Sequence, residues 1–383
     1  MSEVALRFIR TDDEQEELHL HKGMIEVNLV DMDIKAIDLE PLIQLPMLER
    51  LTLSECPLTS VDLSPLASCK RIRELCLRWN RIDRIDLKPL SECKELTELD
   101  LSSNVIGEID LAPLAYCTSL RNLFLSDNDI SSVDLTPLSE CEDLRYLGLT
   151  HNALRGVDLG PLDGSTGLKY LGLTGNELGE VSLEPLRKCF SLAKLEMERC
   201  SLSSVDLAPL ASCKSLEYLN LRGNRLGSVD LSPLAGLTRL RHLILSANDL
   251  KAIDLSPLAG CSGLQYLLLE ENALESVSLE GLAGCRGLIE LHLRANHLTS
   301  VDLNALEGLP VLRVLDLEDN SMSSIDVSPL FKCPMLRRLN VGRTTPGRAV
   351  LIQARSELST AAHPRGLHDV MDRIEWVSTG QAP

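Results

Sequence analysis

The sequence predicts an α/β solenoid, one continuous body in which a short unit returns again and again. Three observations predict it. The stretch IDLKPLSECKELTELDLSSN at 85–104 comes back one unit later as IDLAPLAYCTSLRNLFLSDN at 109–128. The period is 24 residues and holds without insertion or deletion from about residue 24 to residue 344. The chain is 44% apolar but only 3% aromatic, so its core must be aliphatic. A length of 383 residues would by itself suggest two or three domains. A fixed internal period overrides that prior, because each repeat packs only on its neighbours in a single run.

The elements follow in order. Residues 1–23 lack a full unit and are expected to cap the N-terminal end. Residues 24–343 carry the solenoid, about 13–14 rungs. Each rung has an L-x-L strand: Leu99 and Leu101 are two apart, point the same way and can be buried together. The V-D-L-x-P-L-x-x-C half that follows leaves room for only a turn or two. Pro89 suits the start of a short helix or 3-10 turn, where its missing N–H costs nothing. Asp86 can accept hydrogen bonds from the free N–H groups of that turn. Residues 344–383 lose the period and form a C-terminal cap or tail. In LHDVMDRIEWV at 367–377, Leu367, Val370, Met371 and Ile374 share one face of a helix that would cover the last rung. The competing reading is a partner-binding tail around Trp376.

One polar column runs through the repeats: Asn80, Asn104, Asn128, Asn152, Asn176, Asn224, Asn248, Asn272, Asn296 and Asn320, with Cys56 and Cys200 in the same phase. The asparagine amide both donates and accepts, so it can bond backbone where the chain leaves the strand. The unit L-x-x-L-x-L-x-x-N-x-L resembles the leucine-rich repeat family, over about five-sixths of the chain. The resemblance implies a right-handed solenoid with a parallel β-sheet on its concave face, short helix or 3-10 turns on the convex side, and an asparagine ladder.

The other chemistry-bearing residue types read as structure. Cys69, Cys93, Cys117, Cys141, Cys189, Cys213, Cys261, Cys285 and Cys333 share a slot that Leu45, Leu237 and Leu309 also fill, with Ser165 as the one polar exception. A slot that accepts Leu is apolar, and free cysteine packs there as a small hydrophobe. Cys76 differs, because it falls on an outward strand position beside Arg78, which would lower its pKa. The aspartates of the I/V-D-L segment give way in two rungs to Ser182 and Ser278, which cap turns but bind calcium poorly. His242, His292 and Asp316 point to one side of the strands but belong to separate rungs. No Ser-His-Asp or Cys-His set converges and no phosphate loop is present. An enzyme, a metal site or a cofactor is therefore not expected.

Function must lie at the positions the repeat leaves free, the third, fifth, seventh and eighth of the strand segment. The third reads Asn122, Tyr146, Tyr170, Lys194, Tyr218, His242, Tyr266. The fifth adds Phe124, Ile244 and Leu268, and the eighth of an early rung adds Trp79. A solenoid filled by Leu has no structural need of this aromatic stripe. Tyrosine supplies amphipathic area at low entropy cost and dominates protein-binding hot spots. Gly148 and Gly172 are expected to leave a depression between the rings. Glu270 and other carboxylates flank the stripe, so the expected partner is a protein with a basic or aliphatic surface.

A net charge of −18 argues against nucleic acid or an anionic membrane surface, both of which reward clustered Lys and Arg. The opening MSEVALRFIRTDDEQEE has neither a basic nor an apolar signal region, and twelve cysteines in a chain of this kind read as reduced thiols. The expectation is a monomeric cytoplasmic scaffold, non-catalytic, that holds a protein on its concave face. Alternatives are an enzyme's regulatory subunit, of phosphatase-adaptor or GTPase-activator type, or a self-associating structural solenoid.

Overall fold

Each repeat folds as one rung, because its apolar residues can all turn inward only if the chain closes a flat loop. In the rung that begins at Leu96, the strand side supplies Leu96, Leu99 and Leu101, and the return supplies Ile106, Leu111, Leu114 and Cys117. All are at most 2% exposed. Removing each such Leu from water stabilises the fold by about 1.5–3 kcal/mol. The computed structural model describes residues 3–342, 350–360 and 362–378. It divides into two compact units, Met1–Leu192 and Ala193–Pro383.

The first unit begins with β1 (Glu3–Arg10), β2 (Gln15–His21), β3 (Glu26–Val30) and β4 (Ile34–Asp38). Antiparallel β1 joins β2 to β4, so the segment before the first full repeat adds a small sheet to that repeat's I-D-L side. The rung strands are β3, β5 (Arg50–Ser54), β6 (Glu74–Cys76), β7 (Glu98–Asp100), β8 (Asn122–Phe124), β9 (Tyr146–Gly148) and β10 (Tyr170–Gly172). They pair in parallel in chain order, Leu51 on Leu75 on Leu99 on Leu123 on Leu147 on Leu171.

The second unit repeats the plan with β11 (Lys194–Glu196), β12 (Tyr218–Asn220), β13 (His242–Ile244), β14 (Tyr266–Leu268), β15 (Glu290–His292) and β16 (Val314–Asp316). After β17 (Ser324–Asp326) comes β18 (Arg338–Asn340), the last strand of this parallel ladder. β19 (Leu351–Arg355) then pairs in parallel with β17, and β20 (Ile374–Val377) with β19, as a small second sheet on the I-D-V side. This corrects the expected helix over 367–377. Leu367 and Met371 lie in separate 3-10 turns, Arg365–Leu367 and Met371–Arg373, and Ile374 pairs with Ile352. The helical spacing of the apolar residues is real, but β19 offers an unpaired edge and β20 satisfies it. Trp376 sits edge-on to Phe331, 6.1 Å between ring centroids. Of the expected 344–383 tail, residues 344–349, 361 and 379–383 lie outside the described residues.

The turns are 3-10 throughout. In Lys88–Glu92 the proline sits in the first turn, and the Lys88 N–H donates to Asp86 Oδ1 at 2.8 Å. Ser182 replaces the aspartate in its rung and accepts from the Glu184 N–H at 3.3 Å. The residue before each ladder position turns the chain off the strand with a left-handed backbone, φ +57° at Trp79 and +55° at Ser103, for example.

Two hydrogen-bond ladders stitch successive rungs. The Asn128 amide donates to the carbonyls of Leu101 and Leu125 at 3.0 and 3.1 Å, while its oxygen accepts from the Ile106 N–H at 3.0 Å. Asn104 repeats the set in the first unit, as do Asn224, Asn248, Asn272 and Asn296 with their own rungs in the second. Asn152, Asn176 and Asn320 make the same bonds. Asn80 donates to Leu53 and Leu77, but its oxygen is buried without a partner. Cys56 directs its thiol to the Leu29 carbonyl at 3.8 Å, and Cys200 gives its N–H to Asn224 Oδ1 at 3.0 Å. The cysteine slot forms the second ladder. Cys93, Cys117 and Cys141 donate to the carbonyls of Leu66, Leu90 and Leu114, and Cys261, Cys285 and Cys333 to those of Leu234, Leu258 and Leu306. Burial pushes these thiols up, Cys117 to about 12 and Cys93 and Cys141 to about 11.

Candidate functional site

In a pleated strand every second side chain leaves the core, so the third and fifth positions face solvent on each rung strand. In the first unit, register puts Asn122, Tyr146 and Tyr170 side by side, with Phe124, Gly148 and Gly172 beside them. Tyr146 is 37% exposed and Trp79 62%. The expected depression at the two glycines is filled. Phe124 and Ser126 lean over Gly148, at 3.2 and 3.0 Å from where a Cβ would stand. The Tyr170 hydroxyl lies over Gly172. The glycines make room for neighbouring side chains and leave no hole.

The second unit gathers its outward rings more tightly. Parallel pairing sets Lys194, Tyr218, His242 and Tyr266 next to one another on β11 to β14. Neighbouring strands lie about 4.8 Å apart, the spacing of stacked rings. His242 and Tyr266 stack with centroids 4.6 Å apart and planes 8° apart. Tyr218 and His242 are 5.2 Å apart and tilted by 43°. The Lys194 ammonium stands 4.9 Å from the Tyr218 ring centre. Such contacts contribute about 0.5–1.5 kcal/mol each and hold the side chains in place before any partner arrives. Within the column the rings of Tyr218 and His242 each meet a neighbour on both sides, while Tyr266 meets one on the His242 side.

The column sets its own electrostatics. Burial lowers the His242 pKa, helped by Arg241 and Lys194 and opposed by Glu217. Burial raises the Tyr218 pKa, with Glu196 and Glu198 adding to it. Next to the rings, Ile244 and Leu268 form an aliphatic strip, Ile244 being 9% exposed. On its far side Arg222 reaches across the intervening rung to Glu270, Nη1 to Oε1 3.5 Å. That bridge passes the rung of Ser246, whose hydroxyl is buried without a partner, as is Glu270 Oε2. The sequence named Glu270 as a flanking charge. The stacking and the Arg222 bridge depend on side-chain rotamers that a residue pattern does not encode.

One further expectation needs correction. Cys76 has a raised pKa, because burial and the carboxylates of Asp100 and Glu98 outweigh Arg78. His292 and Asp316 lie on separate rungs, as register partners on the adjacent strands β15 and β16. The hydrogen bond of His292 goes to Glu290 Oε2 at 3.0 Å. Among the described residues, no three His, Cys, Asp or Glu side chains are grouped to hold a metal ion. A depression of about 650 Å³ lies on the N-terminal sheet, lined by Phe8, Ile37 and the paired Arg7 and Glu17 among others. It brings none of the repeat columns together. Among the described residues, no helix is long and apolar enough to cross a membrane.

Comparison with known proteins gives a consistent picture. The family model described as leucine rich repeat matches residues 118–178, 190–250, 238–298 and 286–344, and a second leucine rich repeat model matches 92–115. A search of curated proteins finds no match. Among solved structures, the chain is similar to the functional domain of InlJ from Listeria monocytogenes, described as including a cysteine ladder. Identity is 20% over 88% of this chain and 70% of that one, with a TM-score of 0.65. The internalin InlF from the same organism aligns at 25% identity over 77% of this chain and 88% of that one, TM-score 0.62. The plant peptide hormone receptor RGFR1, solved in complex with RGF2, aligns at 17% identity over 97% of this chain and 70% of that one, TM-score 0.66.

Proposed function

Because the chain belongs to the leucine-rich repeat family, we propose that it is a non-catalytic scaffold that holds a protein partner on the open face of its rung strands. One observation carries the reading: the preorganised Lys194–Tyr218–His242–Tyr266 column of the second unit. A Leu-filled rung gains nothing in its core from these rings, yet they are ordered by one another. Ordered tyrosines make efficient contacts, since a partner need not meet the entropy of fixing them. A likeness to a receptor solved with its peptide hormone supports a macromolecular partner in general terms. The surrounding carboxylates favour a basic or aliphatic partner surface, with charge acting mainly on encounter and selectivity. We further place the protein in a reducing compartment, the cytoplasm, where its free thiols stay reduced.

The test is site-specific photo-crosslinking in native extract. A photoreactive phenylalanine at position 218 should give a defined protein adduct, and the same probe at the outlying Tyr116 should not. The Tyr218→Ala, Tyr266→Ala double variant should lose the partner while keeping its unfolding midpoint within a few degrees. Equal adducts at both positions, or unchanged capture by the double variant, would overturn the proposal.

A further inference from the structure

The ring column is asymmetric in a way that points to its occupant. At one end, Tyr218 carries the Lys194 ammonium on its face. At the other end, Tyr266 stacks on His242 through one face only, and among the described residues no ring or cation stands on its second face. The residue in register beyond it is Glu290. That carboxylate is drawn along its own strand to His292 Nε2, 3.0 Å away, and its side chain is 34% exposed. A partly exposed carboxylate therefore belongs to the residue next in register to the tyrosine whose second face is open. The neighbouring cations are already engaged: Arg241 by Glu217 at 3.6 Å and Arg294 by Asp319 at 2.8 Å.

We infer that the outer face of Tyr266, with the Glu290 carboxylate beside it, is a slot for one arginine side chain of the protein partner. The inference rests on the strand-face reading above and names the chemistry of its anchor. A planar guanidinium can lie on the phenol ring and direct N–H donors to the carboxylate at once, which an ammonium does less well. Its aliphatic stem can rest on Leu268, two residues along the same strand face. Lys194 on Tyr218 is the same contact made internally at the opposite end of the stack. Charge agrees, since the chain carries a net −18.

The test uses the full chain with ¹³C-labelled tyrosine, whose five residues give a countable spectrum. The probe is N-acetyl-arginine methylamide, and the control is the citrulline analogue, equal in shape but uncharged. The arginine probe should shift the Tyr266 signal saturably and leave Tyr146 in place. Citrulline should bind about tenfold more weakly, and Glu290→Gln should weaken the arginine probe by about three- to tenfold. Tyr266→Phe, read through the His242 ring signals, should retain the selectivity. Equal responses to both probes, no response at Tyr266, or an unaffected Glu290→Gln protein would overturn the slot. The two proposals fail separately. Loss of partner capture in the double alanine variant without arginine selectivity would leave the binding face standing and remove only its arginine anchor. Crosslinking that ignores the column would remove the face itself.

Discussion

The thiol of Cys117 points at the carbonyl oxygen of Leu90, 27 residues back, at 3.3 Å. Asn128 stands in the same relation to Leu101, again 27 residues back, at 3.0 Å. One ladder edges the strand side of the rungs and the other the 3-10 side. The thiol ladder carries a prediction in alkali. Below pH 9 a thiol is neutral in both the folded and the unfolded chain, and the folded arrangement is fully favoured. Above pH 9 the unfolded chain ionises its thiols, while folded Cys117 resists to about 12 and Cys93 and Cys141 to about 11. Stability is then lost as pH climbs through that window, at about 1.4 kcal/mol per pH unit per thiol. Urea unfolding at pH 8, 9.5 and 10.5 should show a steep fall, shallower in Cys117→Ala. A flat profile would mean that the thiols titrate normally when folded.

The asparagine ladder predicts a graded cost along one column. Asn128→Ala leaves the Ile106 N–H unpaired in the interior and takes one of two amide donors from the Leu101 and Leu125 carbonyls, which keep Asn104 and Asn152. That should cost about 1–3 kcal/mol. Asn80→Ala removes only the donors, because the Asn80 oxygen has no partner to lose. Its cost should be smaller by about 1 kcal/mol. Denaturant midpoints of the two variants decide the point, and equal losses would show that the carbonyl-side bond is immaterial.

The rungs were legible because each inward residue is fixed by position. Leu99 must be buried wherever it falls in the period, and Asp86 must face the first N–H of its turn. Legibility fails where the choice is made by a neighbour outside the repeat. Leu367, Val370, Met371 and Ile374 satisfy a helical spacing, yet the open edge of β19 takes Ile374 into a strand. It fails again for side chains with more than one place to go. Nothing in the letters Tyr-Leu-Gly says that the Tyr170 ring lies down over Gly172 while Tyr266 stands against His242.

His242 offers a reporter of the second unit's ring column. Burial lowers its pKa below the usual histidine value, with Arg241 and Lys194 adding to the effect. A histidine held low is neutral when folded, so its contribution to stability is present above pH 6.5 and lost as pH falls through the folded value. Ring-proton titration should place His242 below a free histidine. Tyr266→Ala should move it up, since water returns to one face of the imidazole. An unmoved titration would show that the stack does not desolvate the ring.

Gly281 separates what the repeat pattern recommends from what the packing allows. At this phase most rungs carry Pro, as Pro89 and Pro257 do, and a consensus argument favours Gly281→Pro. Restricting the unfolded chain at a compatible site stabilises by about 0.4–1 kcal/mol. Here the site is not compatible. Gly281 is buried in the turn Glu280–Leu282, and a Cβ built on it would collide with the Leu255 carbonyl oxygen and come within 2.9 Å of the Ser256 Cα. These are backbone atoms of the preceding rung and cannot swing aside like a side-chain tip. Gly281→Pro and Gly281→Ala should therefore both destabilise, by about 1–3 kcal/mol, as the two rungs are forced apart. Because Ala adds the Cβ without the ring, similar losses in both variants assign the cost to that one atom. A stabilised proline variant in thermal unfolding would instead mean that the rung relaxes to the spacing of its neighbours.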